Sequence, residues 1–355
     1  MRILVVGGAG YIGSHVSYAF VDRGDEVAIL DNFSSGIRNN CPRNARIIEC
    51  DIMDRQRLDA ILSDGWDAVV HLAALKAAGE SMENPGDYAL NNISGTINLL
   101  NSMLGAKSPL LLFSSSAAIF GDPVRLPIDE NHPKQPRNFY GFTKLEIENL
   151  LDWYADLKAF RWVSLRYFNA AGYDKRITEP EKDPQNLLPI LMEAAAGMRD
   201  DVTIYGHDYD TSDGTCVRDY IHVSDLADAH VLGIEYLVRG GSNVKVNLGS
   251  ESGISVAHMV REAIRITGVK FPYSVGQRRP GDPAILIASS TLAKRLFGWK
   301  TRQSSAEALI GSTWRVYKDR KRKDHASRQT GPNIRSLTPG GFKSKSLRDE
   351  KRNQF

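Results

Sequence analysis

The stretch Val5-Val6-Gly7-Gly8-Ala9-Gly10-Tyr11-Ile12-Gly13 decides the fold. Just before the glycines, Ile3 to Val6 is a short apolar run rich in β-branched residues, of the kind buried on both faces of a parallel sheet. The glycines fit G-x-G-x-x-G (Gly8, Gly10, Gly13) and equally G-x-x-G-x-x-G (Gly7, Gly10, Gly13). Such glycines permit a tight turn, admit phosphates to backbone N–H groups and let a helix lie close on a strand. Ser14 to Val21 reads as that helix, whose N-terminus offers free N–H groups and the positive end of its dipole to an anion. A second strand, Glu26 to Leu30, runs into Asp31. An acid about 20 residues past the glycines accepts from a ribose 2′-hydroxyl, which favours NAD over NADP. A lone glycine motif is weak evidence. Strand, glycines, helix, strand and terminal acid in that order read as a dinucleotide site.

Further strand candidates follow at Arg46–Glu49, Ala68–Leu72, Leu110–Phe113 and Trp162–Leu165, with amphipathic helical stretches such as Asn91–Met103 and Thr143–Leu157 between several of them. This alternation predicts an α/β fold with right-handed crossovers and a doubly wound parallel sheet. Ligands of such sheets bind beyond the carboxyl ends of the strands. Asp51-Ile52, Ala73 to Lys76 and Ser114-Ser115-Ser116 all fall at such ends.

The second chemical signal is Tyr140-Gly141-Phe142-Thr143-Lys144. Residues four apart share one helix face, so the phenol and the ammonium are neighbours. A free tyrosine, with a pKa near ~10, is a poor base at neutral pH. An adjacent ammonium, joined by the positive nicotinamide of NAD⁺, stabilises the phenolate and lowers that value. Ser116, at a strand end, can donate to the same substrate hydroxyl. Any Y-x-x-x-K taken alone usually marks a solvated helix face. Downstream of a dinucleotide fingerprint it points to hydride and proton transfer.

Composition excludes several classes. No apolar run reaches the length needed to span a bilayer, and the start lacks the charged, apolar and cleavage regions of a secretory signal. Three cysteines (Cys41, Cys50, Cys216) cannot form a disulfide framework and fit a reducing, cytoplasmic setting. The net charge of +3 conceals an asymmetry, since residues 315–355 hold 13 basic and 4 acidic side chains. The remainder is mildly acidic, with 32 basic and 38 acidic. The run Asp319-Arg320-Lys321-Arg322-Lys323-Asp324 could suggest nucleic acid or a membrane. The segment lacks apolar periodicity, however, so a solvated, disordered extension is expected and no such partner is assigned. The histidines show no metal-ligand spacing, and no metal is expected.

Taken together, the motifs resemble the extended short-chain dehydrogenase/reductases and, among them, the UDP-glucose 4-epimerases. The resemblance runs from Met1 to about Trp314. It is carried by GGAGYIGSH (Gly7–His15), LKAAGES (Leu75–Ser81), SSSAAIFGD (Ser114–Asp122), YGFTK (Tyr140–Lys144), RYFNAAG (Arg166–Gly172), DGTCVRDYIHVSDLA (Asp213–Ala227) and RRPGD (Arg278–Asp282). The fingerprint and Y-x-x-x-K serve the whole superfamily; LKAAGES, RYFN and GTCVRDYIHV are narrower.

The resemblance implies a Rossmann NAD-binding domain over 1–170 and a smaller C-terminal α/β nucleotide-sugar domain over 171–318, between which the chain can cross back. The basic tail over 319–355 lies outside it. Tyr140 would take the proton from the sugar 4-hydroxyl while hydride passes from carbon 4 to a tightly held NAD. The 4-keto sugar would turn over and receive the hydride on its other face. Ser116 would assist at the hydroxyl, and Lys144 would hold the nicotinamide ribose and tune Tyr140. Matching positions give Gly7, Gly10, Tyr11, Ile12, Gly13, Asp31, Asn32, Phe33, Ser34, Ser35, Gly36, Asp51, Ile52, Leu72, Ala73, Ala74, Leu75, Lys76, Asn91 and Phe168, with Ser116, Tyr140 and Lys144, as cofactor contacts. For the UDP-sugar they give Asn169, Asn186, Leu187, Thr203, Ile204, Tyr205, Arg218, Arg279 and Asp282, again with Ser116 and Tyr140. Arginine suits a pyrophosphate because its planar fork presents paired donors. A homodimer through the helices near 91–103 and 143–157 is implied by the resemblance alone.

Three positions depart from the family pattern. Phe120 replaces a usual tyrosine and should cost a hydroxyl contact, and Phe139 replaces a common proline before Tyr140. Leu286 stands where side-chain size decides whether an N-acetylated sugar fits, and leucine is intermediate. The readings left open are a UDP-hexose 4-epimerase, a 4-epimerase of UDP-N-acetylglucosamine or a UDP-pentose, a dehydratase, and an NAD-binding regulator without catalysis. Dehydratases usually carry an Asp-Glu pair where Ala117-Ala118 stand, and a regulator would be expected to have lost Ser116, Tyr140 or Lys144.

Overall fold

The structure is a computed structural model that describes residues 1–107, 110–158, 160–279 and 282–329, with side chains described as far as 318. Seven strands form the main sheet: β1 (Arg2–Val6), β2 (Glu26–Asp31), β3 (Arg46–Glu49), β4 (Ala68–His71), β5 (Leu110–Ser116), β6 (Arg161–Tyr167) and β7 (Val244–Leu248). Their spatial order is β7-β6-β5-β4-β1-β2-β3 and every pairing is parallel. The order reverses between β1 and β4, so a crevice opens beyond the carboxyl ends of those two strands.

Strand alternation explains why the sheet is apolar throughout. Ile3 and Val5 face a core shared with Val16, Phe20, Leu226 and Ile234, from the helices Tyr11–Asp22 and Val223–Val238. Leu4 and Val6 face the opposite core, with Leu58, Leu99, Ile147 and Leu151 from the helices Arg55–Leu62, Gly95–Gly105 and Phe139–Lys158. A third cluster, including Leu191, Ile204, Tyr220, Met259 and Leu309, organises the smaller part of the molecule. Its sheet pairs Val217–His222 with Gly253–Ser255, Ile285–Leu286 and Asn169–Ala171. Because β7 returns to pair with β6, the boundary at 170 does not cut the chain into two sequential halves.

Several element ends differ from the sequence reading. The first helix starts at Tyr11 rather than Ser14, because Ser14 N–H already donates to Gly10 O and closes the first turn. The helix carrying Tyr140 starts at Phe139, four residues before the amphipathic window, with the Asn138 side chain accepting from Gly141 N–H as an N-cap. Phe139 is therefore the first helical residue, where proline would also fit. β5 continues through its three serines, which pair with Leu165, Arg166 and Tyr167. The 91–103 stretch is a π-helical turn, Ala89–Ser94, leading into an α-helix over Gly95–Gly105. The last helix, Ala306–Gln329, runs past 318, where an unstructured tail was expected to begin. The rest of that tail, 330–355, lies outside the described residues.

Candidate active site and dinucleotide cleft

The glycine turn sits at the crevice, and Gly7 and Gly13 are sterically required. Gly7 has φ +80°, and a Cβ there would lie 2.5 Å from Ala73 N. At Gly13 a Cβ would lie 2.1 Å from the Gly7 carbonyl oxygen. Gly10 caps the helix Tyr11–Asp22 with no side-chain hydrogen bond, which leaves the first-turn donors to a ligand. The Gly13→Ala protein is expected to lose bound dinucleotide on purification, checked by assaying NAD released on denaturation; full retention would show that the turn can yield.

Asp31 ends β2 with its carboxylate buried. Its Oδ2 accepts from Ala9 N–H (2.9 Å) and its Oδ1 from Phe33 N–H (2.8 Å). Burial raises its pKa above the usual carboxylate value, and these two N–H donors only partly oppose the rise. The side chain thus braces the glycine turn while keeping lone pairs for a ribose. Gly36 has no room for a Cβ, which would meet Asp31 Oδ1 at 2.7 Å. Asn32 donates to Asp51 (2.8 Å), Ser34 turns back on Asn32, and Phe33 lies under the Arg38 guanidinium. Ser35 and Tyr11 line one pocket at the start of the first helix.

Across the crevice, Leu72 and Ala73 N–H groups both donate to Val6 O. Leu75 is fixed by a residue that the sequence reading did not single out. Asn92, fully buried, accepts from Leu75 N–H (2.9 Å) and donates to Leu75 O (3.0 Å) and Thr143 Oγ1 (3.1 Å). It also accepts from the Asn91 side chain. Ser81 was missed as well: its Oγ accepts from Tyr140 N–H (3.0 Å) and so seats the helix that carries Tyr140. The available hint was two asparagines inside a helical window, an arrangement poor for helix propensity. Ile12 and Ile52 turn their side chains into the core, so only their backbones can face a dinucleotide. Among the described residues, no group of three or more His, Cys, Asp or Glu side chains could hold a metal ion. His71 donates to or accepts from Thr96 (2.9 Å) inside the core.

Ser116, Tyr140 and Lys144 converge at the carboxyl end of β5. The Ser116 Oγ accepts from Ala118 N–H (3.2 Å), leaving its own proton free to point at the Tyr140 phenol. Burial raises the Tyr140 pKa, and the Ser116 hydroxyl opposes that rise. Lys144 is almost wholly buried, with Nζ donating to Ser114 O (2.7 Å) and lying 5.8 Å from the Tyr140 ring centroid. Burial lowers its pKa to about 7, against a raising influence from Glu148 one turn on.

The substrate-side candidates lie in the smaller part of the molecule. Arg218 donates to Pro283 O (2.8 Å), and its Nη2 lies 3.2 Å from Asp282 with no aligned hydrogen bond. The Arg279 guanidinium lies 4.1 Å from the Tyr205 ring centroid. In Thr203–Tyr205 the strand alternates: Ile204 is core, while Thr203 and Tyr205 face outward. Leu286 is in register with Arg218 and packs against the cluster that contains Phe120 and Phe168, which Ala117, the residue after Ser116, also borders. Asn186 caps the helix Leu187–Ala196 without a side-chain hydrogen bond, and Asn169 begins the strand beside Tyr220. The Phe120 ring is buried against His132 and Arg166, a place where a hydroxyl would meet core rather than ligand.

Residues 3–249 match the family model described as the NAD dependent epimerase/dehydratase family. A UDP-glucose 4-epimerase of Halalkalibacterium halodurans is 42% identical over 322 residues, covering 90% of this chain and 96% of that one. The crystal structure of UDP-glucose 4-epimerase from Brucella ovis in complex with NAD superposes with a TM-score of 0.87 at 41% identity, covering 89% and 98%. One from Stenotrophomonas maltophila, with bound NAD and formylated UDP-arabinopyranose, gives 0.87 at 38%, covering 91% and 99%. A turn with no room for a Cβ at Gly7 or Gly13, an acid bracing it and a Ser-Tyr-Lys group at the end of β5 suit one cofactor, NAD, and on that fit together with these matches the chain belongs to the NAD dependent epimerase/dehydratase family.

Proposed function

We propose that this chain is a UDP-glucose 4-epimerase, interconverting UDP-galactose and UDP-glucose through a transient 4-keto sugar. One observation carries the reading: Ser116, Tyr140 and Lys144 meet at the carboxyl end of β5, one strand over from the crevice between β1 and β4. Bound NAD supplies a hydride acceptor that is regenerated within each turnover. Tyr140 accepts the proton of the 4-hydroxyl and later returns it. Ser116 orients that hydroxyl, and Lys144 compensates the phenolate. Arg218 and Arg279 hold the pyrophosphate, Asp282 accepts from the uridine ribose, and Tyr205 offers a ring face to the base.

A pH dependence follows. Burial lowers the Lys144 pKa to about 7 and raises that of Tyr140, so the proton that leaves near pH 7 is the one on the Lys144 ammonium. Its loss removes the positive charge that compensates the Tyr140 phenolate. Activity in kcat/KM should therefore fall as pH rises through about 7. Glu148→Gln should move that midpoint lower, because Glu148 supports the ammonium; a midpoint that does not move would contradict the coupling.

Leu286 favours a second reading of the sugar, in which the 4-epimerase also accepts an N-acetylhexosamine or a pentose, since leucine neither fills nor empties that position. Product analysis with UDP-galactose, UDP-N-acetylgalactosamine and UDP-arabinose side by side decides the range. Failure of NAD-replete protein to convert any of them would sink the epimerase reading.

We also infer a homodimer, supported by Trp153 (65% exposed) and Leu157 (67% exposed) on one face of the helix Phe139–Lys158. Sedimentation equilibrium tests it. A cytoplasmic location is supported by three buried, unpaired cysteines, and no described helix is long and apolar enough to cross a membrane. Fractionation of the tagged protein tests that location.

A further inference from the structure

The cofactor crevice contains a carboxylate that a dinucleotide site does not require. Glu181 lies on the segment that follows the strand Asn169–Ala171. Its Oε2 accepts from Lys76 Nζ at 2.6 Å, and Lys76 belongs to the loop that abuts the glycine turn. The two side chains are unequal: that of Lys76 is 61% exposed and that of Glu181 only 9%. The other carboxylate oxygen, Oε1, is buried and has no hydrogen-bond partner. With Ala9, Tyr11, Ser14 and Ser35, Glu181 lines the pocket at the start of the first helix. Its backbone is separately fixed, with Glu181 N–H donating to the Tyr173 hydroxyl (3.2 Å) and the neighbouring Glu179 O accepting from Asn40 Nδ2 (2.8 Å). The side chain can thus move without the segment moving.

We propose that Glu181 competes with the dinucleotide's phosphates for Lys76 and for the positive end of the first helix. The inference rests on the reading of this crevice as the NAD site. A pyrophosphate is drawn to the lysine ammonium that now holds the carboxylate and to the uncapped N–H groups of the helix whose first residues line the same pocket. Two anions sharing them repel one another, the more so because Glu181 is enclosed. Binding NAD requires Glu181 to release Lys76 and turn its unpartnered oxygen away. Retention of the cofactor is therefore set by this carboxylate as well as by the glycine turn.

The test is the rate at which purified, NAD-loaded protein exchanges its cofactor with isotopically labelled NAD. Glu181→Gln, which keeps the shape and removes the charge, should slow exchange about tenfold, the factor that corresponds to ~1.4 kcal/mol. Glu181→Ala should act in the same direction. Lys76→Met should speed exchange, and more strongly in the Glu181→Gln background than in the wild type, because only there is the lysine fully available to phosphate. Exchange as fast or faster in both Glu181 variants would overturn the proposal and make Glu181 a bystander or a latch. Wild-type protein that holds no NAD would overturn the site reading itself, an outcome distinct from unchanged exchange in the variants.

Discussion

Replacing Tyr140 with Phe should lower turnover by about 10²- to 10⁴-fold, the range for loss of a positioned general acid–base group. The ring would keep its packing and the helix its seat, since Ser81 receives the backbone N–H of residue 140 rather than the phenol. Bound NAD should therefore remain stoichiometric in the variant. On the proposed mechanism, what disappears is the group that exchanges a proton with the sugar hydroxyl, and neither Ser116, which has no base behind it, nor Lys144, whose Nζ donates to Ser114 O, replaces it. Measuring kcat with UDP-galactose together with NAD content separates a chemical defect from a binding defect. An unchanged rate would remove Tyr140 from its assigned role.

The largest effect on stability is expected from Arg166→Met. Arg166 and Glu148 form an ion pair almost wholly excluded from water, with Nη2 to Oε2 at 2.6 Å and Nε to Oε1 at 2.9 Å, supported by the Ser164 hydroxyl at 2.7 Å. Removing one partner of such a pair leaves an uncompensated buried charge and costs about 3–5 kcal/mol. Burial alone would raise the Glu148 pKa, but Arg166, with Ser164 and Ser115, outweighs it and holds the group below its usual value. A depressed carboxylate pKa contributes stability above the unfolded value, near ~4.3, that is lost as pH falls through the folded one. The gap between wild type and Arg166→Met in urea unfolding should therefore be widest near neutral pH and narrow in acid. Adding Glu148→Leu to Arg166→Met should recover part of the loss, since two apolar groups leave no orphaned charge. A gap that does not change with pH would contradict the assignment.

These two sites differ in how far the sequence foretold them. Tyr140, Lys144 and the glycines were legible because their chemistry depends on spacing along one turn or one loop, and spacing is a local property. The alternation of strands and helices was legible for the same reason, since telling period two from period 3.6 needs no knowledge of the partner. Asn92, Ser81, Glu148 and Glu181 were not legible. Each acts on a residue distant in the chain: Asn92 on Leu75 and Thr143, Ser81 on Tyr140, Glu148 on Arg166, Glu181 on Lys76. Phe120 misled in the opposite sense, because its motif lies beside Ser116 while its ring turns into the core against His132 and Arg166.

By itself, then, the sequence determined the βαβ start, the cofactor class and the pairing of a phenol with an ammonium, all set by backbone sterics and short-range periodicity. Only the tertiary structure decided that β7 returns to the main sheet, that Lys144 is buried enough to titrate at about 7, and that Lys76 faces a carboxylate from 105 residues away. Burial and long-range electrostatics depend on which surfaces meet, and no window of sequence contains that information.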